Sequence, residues 1–171
     1  MKRLAVVFVL ALLAASCGGA QISEKVAEQA IGGNADVEIS GDGDDLTVNV
    51  ETDEGSVSIG SGAQLPDELE VPVPDGGNVT AAGTQNTSVF AAVIYAIDRF
   101  DEIVAFYDSW TAGTGGEWQT QTATIDVGGQ KQRSAAWNSV DLAYFISVAD
   151  CVNTSSGSTD LDSTCVVINQ N

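Results

Sequence analysis

The spacing of apolar residues changes along this chain, and each spacing predicts a different element. Leu4 to Ala15 is an unbroken apolar run of twelve residues behind Lys2 and Arg3. Farther on, Ile22, Val26, Ala30 and Ile31 fall at near-helical spacing. They predict a short amphipathic helix that Ser23 can cap and Gly32-Gly33 stops. From Asp36 the period becomes two. Val37 and Ile39, then Leu46, Val48 and Val50, then Val57 and Ile59 alternate with polar residues. Gly- and Asp-rich turns separate the three groups, which predicts a three-stranded meander with one apolar face. The preceding helix is expected to cover that face.

Residues 61–78 break both rhythms. Pro66, Pro72 and Pro74 stand within nine residues, which bars a helix and favours an extended path. Beyond this linker, Ser88 to Tyr95 is apolar on both faces, as a central strand is. A helix is expected from Asp98, with Asp98 as its cap and Asp101 and Glu102 in its positive first turn. Its stripe is Phe100, Ile103, Val104, Tyr107 and Trp110, widened by Phe106, and Gly113, Gly115 and Gly116 end it. Strands are then predicted over 117–125, 131–137, 140–148 and 165–168, with turns at Gly128-Gly129 and Asn138-Ser139. The fold class expected is α+β. One main helix packs on one face of an antiparallel sheet, preceded by the small helix and the three-stranded meander. The organisation expected is a leader (1–16), a tether (17–21), a helix and meander module (22–60), a linker (61–78) and an α+β domain (79–171).

The first apolar run would span roughly 18 Å as a helix, against about 30 Å of hydrocarbon, too short to cross a bilayer. It fits the core of an export signal. The segment Leu13-Ala14-Ala15-Ser16-Cys17 resembles the lipobox of bacterial lipoproteins, with Ala14 where the pattern prefers Leu. The resemblance implies cleavage after Ser16 and a diacylglyceryl thioether, with further palmitate-like acylation, on Cys17. Several acyl chains anchor stably where one does not. Ordinary secretion with a free thiol at Cys17 is the alternative. The chain has three cysteines. With Cys17 acylated, Cys151 and Cys165 are left to form a disulfide in an oxidising compartment, closing the base of a hairpin if their strands pair.

The formal net charge is −18. Removing residues 1–16 leaves Lys25, Arg99, Lys131 and Arg133 against all 24 acidic residues. Such a surface lacks the basic footprint of a nucleic-acid binder and is repelled by anionic lipid, so the lipid must supply membrane affinity. The acidity suits saline surroundings, or merely an acidic exported protein. The chain has no histidine. Ser-His-Asp triads, Cys-His pairs and histidine metal sites are thereby excluded. Carboxylate pairs and Ser-Lys dyads are not, so the composition weighs against an enzyme without ruling one out.

The order of lipobox cysteine, short helix, Gly- and Asp-rich hairpins and Pro-rich strap leads into Phe100-Asp101-Glu102-Ile103-Val104-Ala105-Phe106-Tyr107. This succession looks like that of a group of uncharacterised bacterial lipoproteins. It implies the same architecture and carries no catalytic or ligand residues.

Candidate sites compete with structural explanations. Asp42, Asp44 and Asp45, or Asp160 and Asp162, offer oxygen ligands to calcium. Thr47 and Asp53 stand where an EF-hand loop needs Gly and Glu, and Asp belongs in turns anyway. Trp110, Trp118 and Trp137, with Tyr107 and Tyr144, are candidates to line a pocket or a carbohydrate platform, but Tyr107 and Trp110 belong to a core stripe. Trp118 and Trp137 flank polar or Gly-rich turns and are the candidate ligand contacts. Asp98, Asp101 and Glu102 are helix-start acids, and Lys131 with Arg133 alternates on one strand as a solvated face would, open to pairing with nearby acids. Sequons at Asn78, Asn86 and Asn153 matter only in a glycosylating pathway.

The reading that results is a lipid-anchored envelope protein on the extracytoplasmic face of the cell or outer membrane. It needs no metal or cofactor and acts as a non-catalytic binding or interaction module for an envelope protein or small ligand. The alternatives are a carboxylate-dependent, glycan-directed hydrolase and a carrier of an apolar ligand held between helix and sheet.

Overall fold

The computed structural model describes residues 35–41, 46–127, 129–141, 143–152 and 160–171. The leader, Cys17, the tether, the helix expected over 22–31, Asp42 to Asp45 and Asn153 lie outside them. The strands are β1 (Ala35–Ser40), β2 (Thr47–Thr52), β3 (Gly55–Gly60), β4 (Asn78–Gln85), β5 (Ser88–Ala96), β6 (Trp118–Val127), β7 (Gln130–Ser139), β8 (Tyr144–Cys151) and β9 (Ser163–Gln170). A 3-10 turn (Ile97–Arg99) leads into one helix, α1 (Phe100–Gly113). All nine strands form a single antiparallel sheet in the order β1-β2-β3-β4-β5-β9-β8-β7-β6. The first five strands meander outward to mid-sheet. The chain then leaves through α1, resumes at the far edge with β6, and meanders back until β9 seats between β5 and β8.

Residues paired directly across antiparallel strands share a face. Two four-residue rows run across the middle of the sheet on the side facing α1. One is Ala91, Ile168, Ile146 and Trp137; the other is Val93, Val166, Val148 and Ala135. Every member is at most 2% exposed. Phe100, Ile103 and Tyr107 of α1 close over these rows, and Ile103 and Tyr107 are fully enclosed.

The Pro-rich stretch also covers this face, next to the helix. Val71 is 1% exposed and belongs to the same core, with Leu69 and Val73 packed against it. Two core tyrosines reach it. The Tyr95 hydroxyl donates to the Pro74 carbonyl (2.7 Å), and the Tyr107 hydroxyl donates to the Pro72 carbonyl (3.2 Å). Gly77 lies so close to the sheet that a β-carbon there would overlap Val93 and the Tyr95 ring.

The α+β expectation is corrected. Among the described residues the fold is β-rich: one nine-stranded sheet with a single 14-residue α-helix. The meander is not a unit of its own. The outer edge of β3 pairs with β4 through Val57↔Gly83, Ser58↔Ala82 and Ile59↔Ala81, so the ladder continues unbroken. Alternation states that a strand has two faces and is silent about which strand lies beside it. The apolar residues of the meander moreover lie opposite α1. Val57 and Ile59 share a face with Phe90 and Ala92, while Ser58 shares one with buried Ala82 and Ala91.

Two local expectations also shift. Asp98 makes no capping hydrogen bond, because the chain enters α1 through a 3-10 turn and Arg99 occupies the cap position. Asn138 and Ser139 lie within β7, and the turn comes later, where Asp141 Oδ1 accepts from the Ala143 N–H (3.2 Å). Val140, read as strand, is left 51% exposed.

Cys151 and Cys165 form a disulfide across β8 and β9, with Cα atoms 5.8 Å apart. Closing a loop of this length contributes about 3 kcal/mol by the chain-entropy model.

Ile103→Ala empties a fully enclosed site between helix and sheet, and is expected to cost about 3 kcal/mol in urea unfolding. A loss below about 1 kcal/mol would show that the site collapses freely and that this core is not close-packed.

Candidate functional site

The described residues open a cleft at one end of the helix–sheet interface. β6 begins at Trp118, which pairs with Ser139, and Tyr144 opens β8 on the other side of Ser139. The Tyr144 N–H donates to Ser139 Oγ (2.9 Å), fixing that small residue between two large rings. The Trp118 and Tyr144 rings stack at 6.1 Å with 29° between planes. Trp110, from the last full turn of α1, meets both edge-on, at 5.5 Å from Trp118 and 6.2 Å from Tyr144. The helix stops just beyond it. The Thr114 N–H returns to the Trp110 carbonyl (3.1 Å) and Gly115 takes a left-handed φ of 70°. All three rings are partly buried, so each keeps some surface open.

The cleft beside these rings measures about 640 Å³. Its polar rim holds three carboxylates, Glu70, Glu117 and Asp141, with Thr114 and Ser139. Glu70 comes from the Pro-rich strap and accepts the Tyr144 hydroxyl at 2.6 Å. That bond is the first cause of a raised Tyr144 pKa, ahead of burial. The Asp141 carboxyl is held below the usual range, first by the Ser139 hydroxyl and then by the Ala143 N–H. The Trp118 indole N–H donates to Thr114 Oγ1 (2.9 Å).

The two tryptophans proposed as ligand contacts are separated. Trp118 lines the cleft. Trp137 is fully enclosed under α1, tilted against Tyr107 at 5.7 Å, with its indole N–H donating to Asp108 Oδ1 (2.9 Å). Cys151 and Cys165 are joined in the disulfide, on neighbouring central strands away from the cleft. The helix-start acids are engaged at the other end of α1: Glu102 chelates Arg99 at 2.7 and 2.8 Å, and Asp101 reaches Arg133 at 3.4 Å.

Trp110 and Tyr144 stand among the candidate pocket-lining aromatics with Trp118, but no sequence pattern joins Glu70 and Asp141 to them. Trp110 closes the helical stripe next to its glycine stop, and that position is a readable sign that it overhangs the core. Nothing in sequence joins Glu70 to a tyrosine 74 residues away.

Arg133 pairs with nearby acids, as the sequence reading allowed, and is only partly exposed. Its Nε and Nη2 donate to the two oxygens of Asp150, both at 2.9 Å, and its backbone N–H donates to the same carboxylate. Its guanidinium lies 4.2 Å from the centre of the Phe100 ring. Asp150 is 2% exposed, so this pair holds a charge inside the core. Asp160 accepts from Gln130 Nε2 (3.0 Å). Among the described residues no group of three His, Cys, Asp or Glu side chains is placed to hold a metal ion. No described helix is long and apolar enough to cross a membrane.

No protein-family model matches this chain, and no curated protein is significantly similar to it.

Arg133→Met strands the Asp150 charge and is expected to cost on the order of 3 kcal/mol in urea unfolding; adding Asp150→Asn should recover most of it. A negligible loss in the single variant would show that the carboxylate is not held by this pair.

All three tyrosines are shifted upward. Burial moves Tyr95 from 10.0 to about 12 and raises Tyr107, and the Glu70 bond raises Tyr144. The folded state therefore binds these protons more tightly than the unfolded chain. The associated stability is fully present below pH 10.0 and is lost as pH climbs through the folded value, about 12 for Tyr95. An ultraviolet titration is expected to show phenolate only above the unfolded range, together with unfolding. Tyrosines that ionise at the unfolded value in the native protein would contradict this packing.

Proposed function

We propose that this chain is a lipid-anchored, non-catalytic binding protein of the bacterial cell envelope, exposed on the extracytoplasmic face, with its ligand site in the cleft of Trp110, Trp118 and Tyr144. One observation carries the binding role. Three aromatic rings converge on an open cleft of the size that small ligands occupy, at a place where the core could have closed.

The anchoring rests on the sequence. Leu4 to Ala15 ends at the lipobox-like segment and Cys17. The Cys151–Cys165 disulfide agrees with an oxidising compartment, and it leaves Cys17, of the three cysteines, for acylation. A hydrolase needs one acid with a raised pKa as proton donor. Asp141, at the cleft rim, is shifted the other way.

Metabolic labelling with palmitate tests the anchor. The full chain expressed in a bacterial host is expected to take up label and fractionate with membranes, and Cys17→Ala is expected to do neither. Unlabelled wild-type protein with an unmodified Cys17 by intact mass would overturn the anchored reading.

A further inference from the structure

We propose that the cleft takes a small organic cation of the quaternary-ammonium class, held against the Trp110, Trp118 and Tyr144 rings and countered by Glu70, Glu117 and Asp141. This rests on the cleft being a ligand site and names its ligand chemistry.

Charge gives the sign. Among the described residues the lining includes three carboxylates and no basic side chain. The chain as a whole carries −18, so its field concentrates cations and repels anions at every opening. An anionic ligand would meet neither a counter-ion nor a favourable field.

Hydrogen bonding narrows the class. The polar tips of two of the three rings are already used within the protein: the Trp118 N–H on Thr114 and the Tyr144 hydroxyl on Glu70. Those two rings therefore offer π surface rather than donors. A sugar could bond its hydroxyls to the rim carboxylates, but it carries no charge to answer the three of them. A quaternary ammonium needs no hydrogen-bond partner, is weakly hydrated, and gains from negative ring faces, with tryptophan the best of them.

The arrangement gives that preference a rigid frame. Trp110 stands edge-on to both other rings, and Trp118 and Tyr144 flank Ser139 on adjacent strands. The Glu117 carbonyl accepts the Val140 N–H (2.9 Å), tying the α1–β6 connection to the end of β7. The Glu70 backbone N–H donates to Gln170 Oε1 (2.9 Å), and Gln170 Nε2 donates back to the Glu68 carbonyl (3.1 Å), pinning the strap beside the cleft. The rings and Glu70 are thus set before a ligand arrives, which lowers the ordering cost of binding.

The test uses the full chain in a nonionic detergent, with tryptophan fluorescence and calorimetry as readouts. The probes are choline, its uncharged isostere with a tert-butyl group in place of trimethylammonium, and methyl glucoside. Choline is expected to bind saturably and at least about tenfold more tightly than the isostere. The variant Glu117→Gln changes an exposed side chain outside the turn that Asp141 holds, so it should keep the wild-type melting temperature while choline weakens and the isostere does not. Trp118→Phe should weaken choline and keep the fold. Equal binding of choline and isostere would overturn the proposal in favour of an apolar cleft. Saturable methyl glucoside binding without choline would overturn it in favour of a sugar site, and in both cases the cleft stands as a binding site. No saturable binding by any probe to a folded chain would remove the cation proposal and the cleft's binding role together. The lipid anchor is judged separately by the palmitate label.

Discussion

A strand has only two sides, and successive residues must take them in turn. The rest of this structure depends on how that constraint is met twice, with opposite results. In β5, β7, β8 and β9 the apolar residues that turn toward α1 are enclosed to 5% exposure or less, Tyr144 at the cleft excepted. In β1, β2 and β3 the apolar set turns the other way, as the pairs Val37↔Val50, Val50↔Val57 and Val57↔Gly83 follow one face across to Phe90. The change of side falls at β4, whose buried Ala82 faces α1 in line with Ser58 of β3. The sheet is continuous in hydrogen bonds and discontinuous in which side carries its apolar residues.

The Pro-rich strap is a second lid on the α1 side, and its chemistry explains why it remains a strap. Proline lacks the N–H that a further strand would need, yet its carbonyl still requires a donor once buried. Tyr95 and Tyr107 supply those donors from below. Each tyrosine contributes a large apolar ring to the core and a polar tip to the layer above it. Arg133 does comparable work at the other end of α1, where its guanidinium lies over Phe100 and satisfies buried Asp150. The cleft is what remains where α1 stops and the strap passes by without filling the corner.

Much of the local structure was legible in the sequence. Period two identified every strand from β1 to β3, Ser88 to Tyr95 was read as central, and the stripe of α1 was named residue by residue. The pairing of Cys151 with Cys165 followed from cysteine count and strand order. Fold class was not legible, because no pattern within 55–60 announces that its outer neighbour is β4. Burial of Trp137 was hidden for a related reason: nearby polar residues suggested a turn, but Asn138 and Ser139 continue β7. Of the cleft, all three aromatics were visible as possible pocket lining, and Trp118 alone of them as a ligand contact. The convergence of Trp110, Tyr144 and Glu70 depends on the crossover, which carries the chain from mid-sheet to the far edge and back.

That crossover sets an order of assembly. The two half-sheets, β1 to β5 and β6 to β8, share no ladder of their own; β9 alone bonds to both. Of the nine described strands it is also the last in chain order. A growing chain can build local hairpins early, but the seam between its halves waits for residues 163–170. The two halves are therefore joined late, and any nascent length that stops short of residue 163 lacks the middle of this sheet.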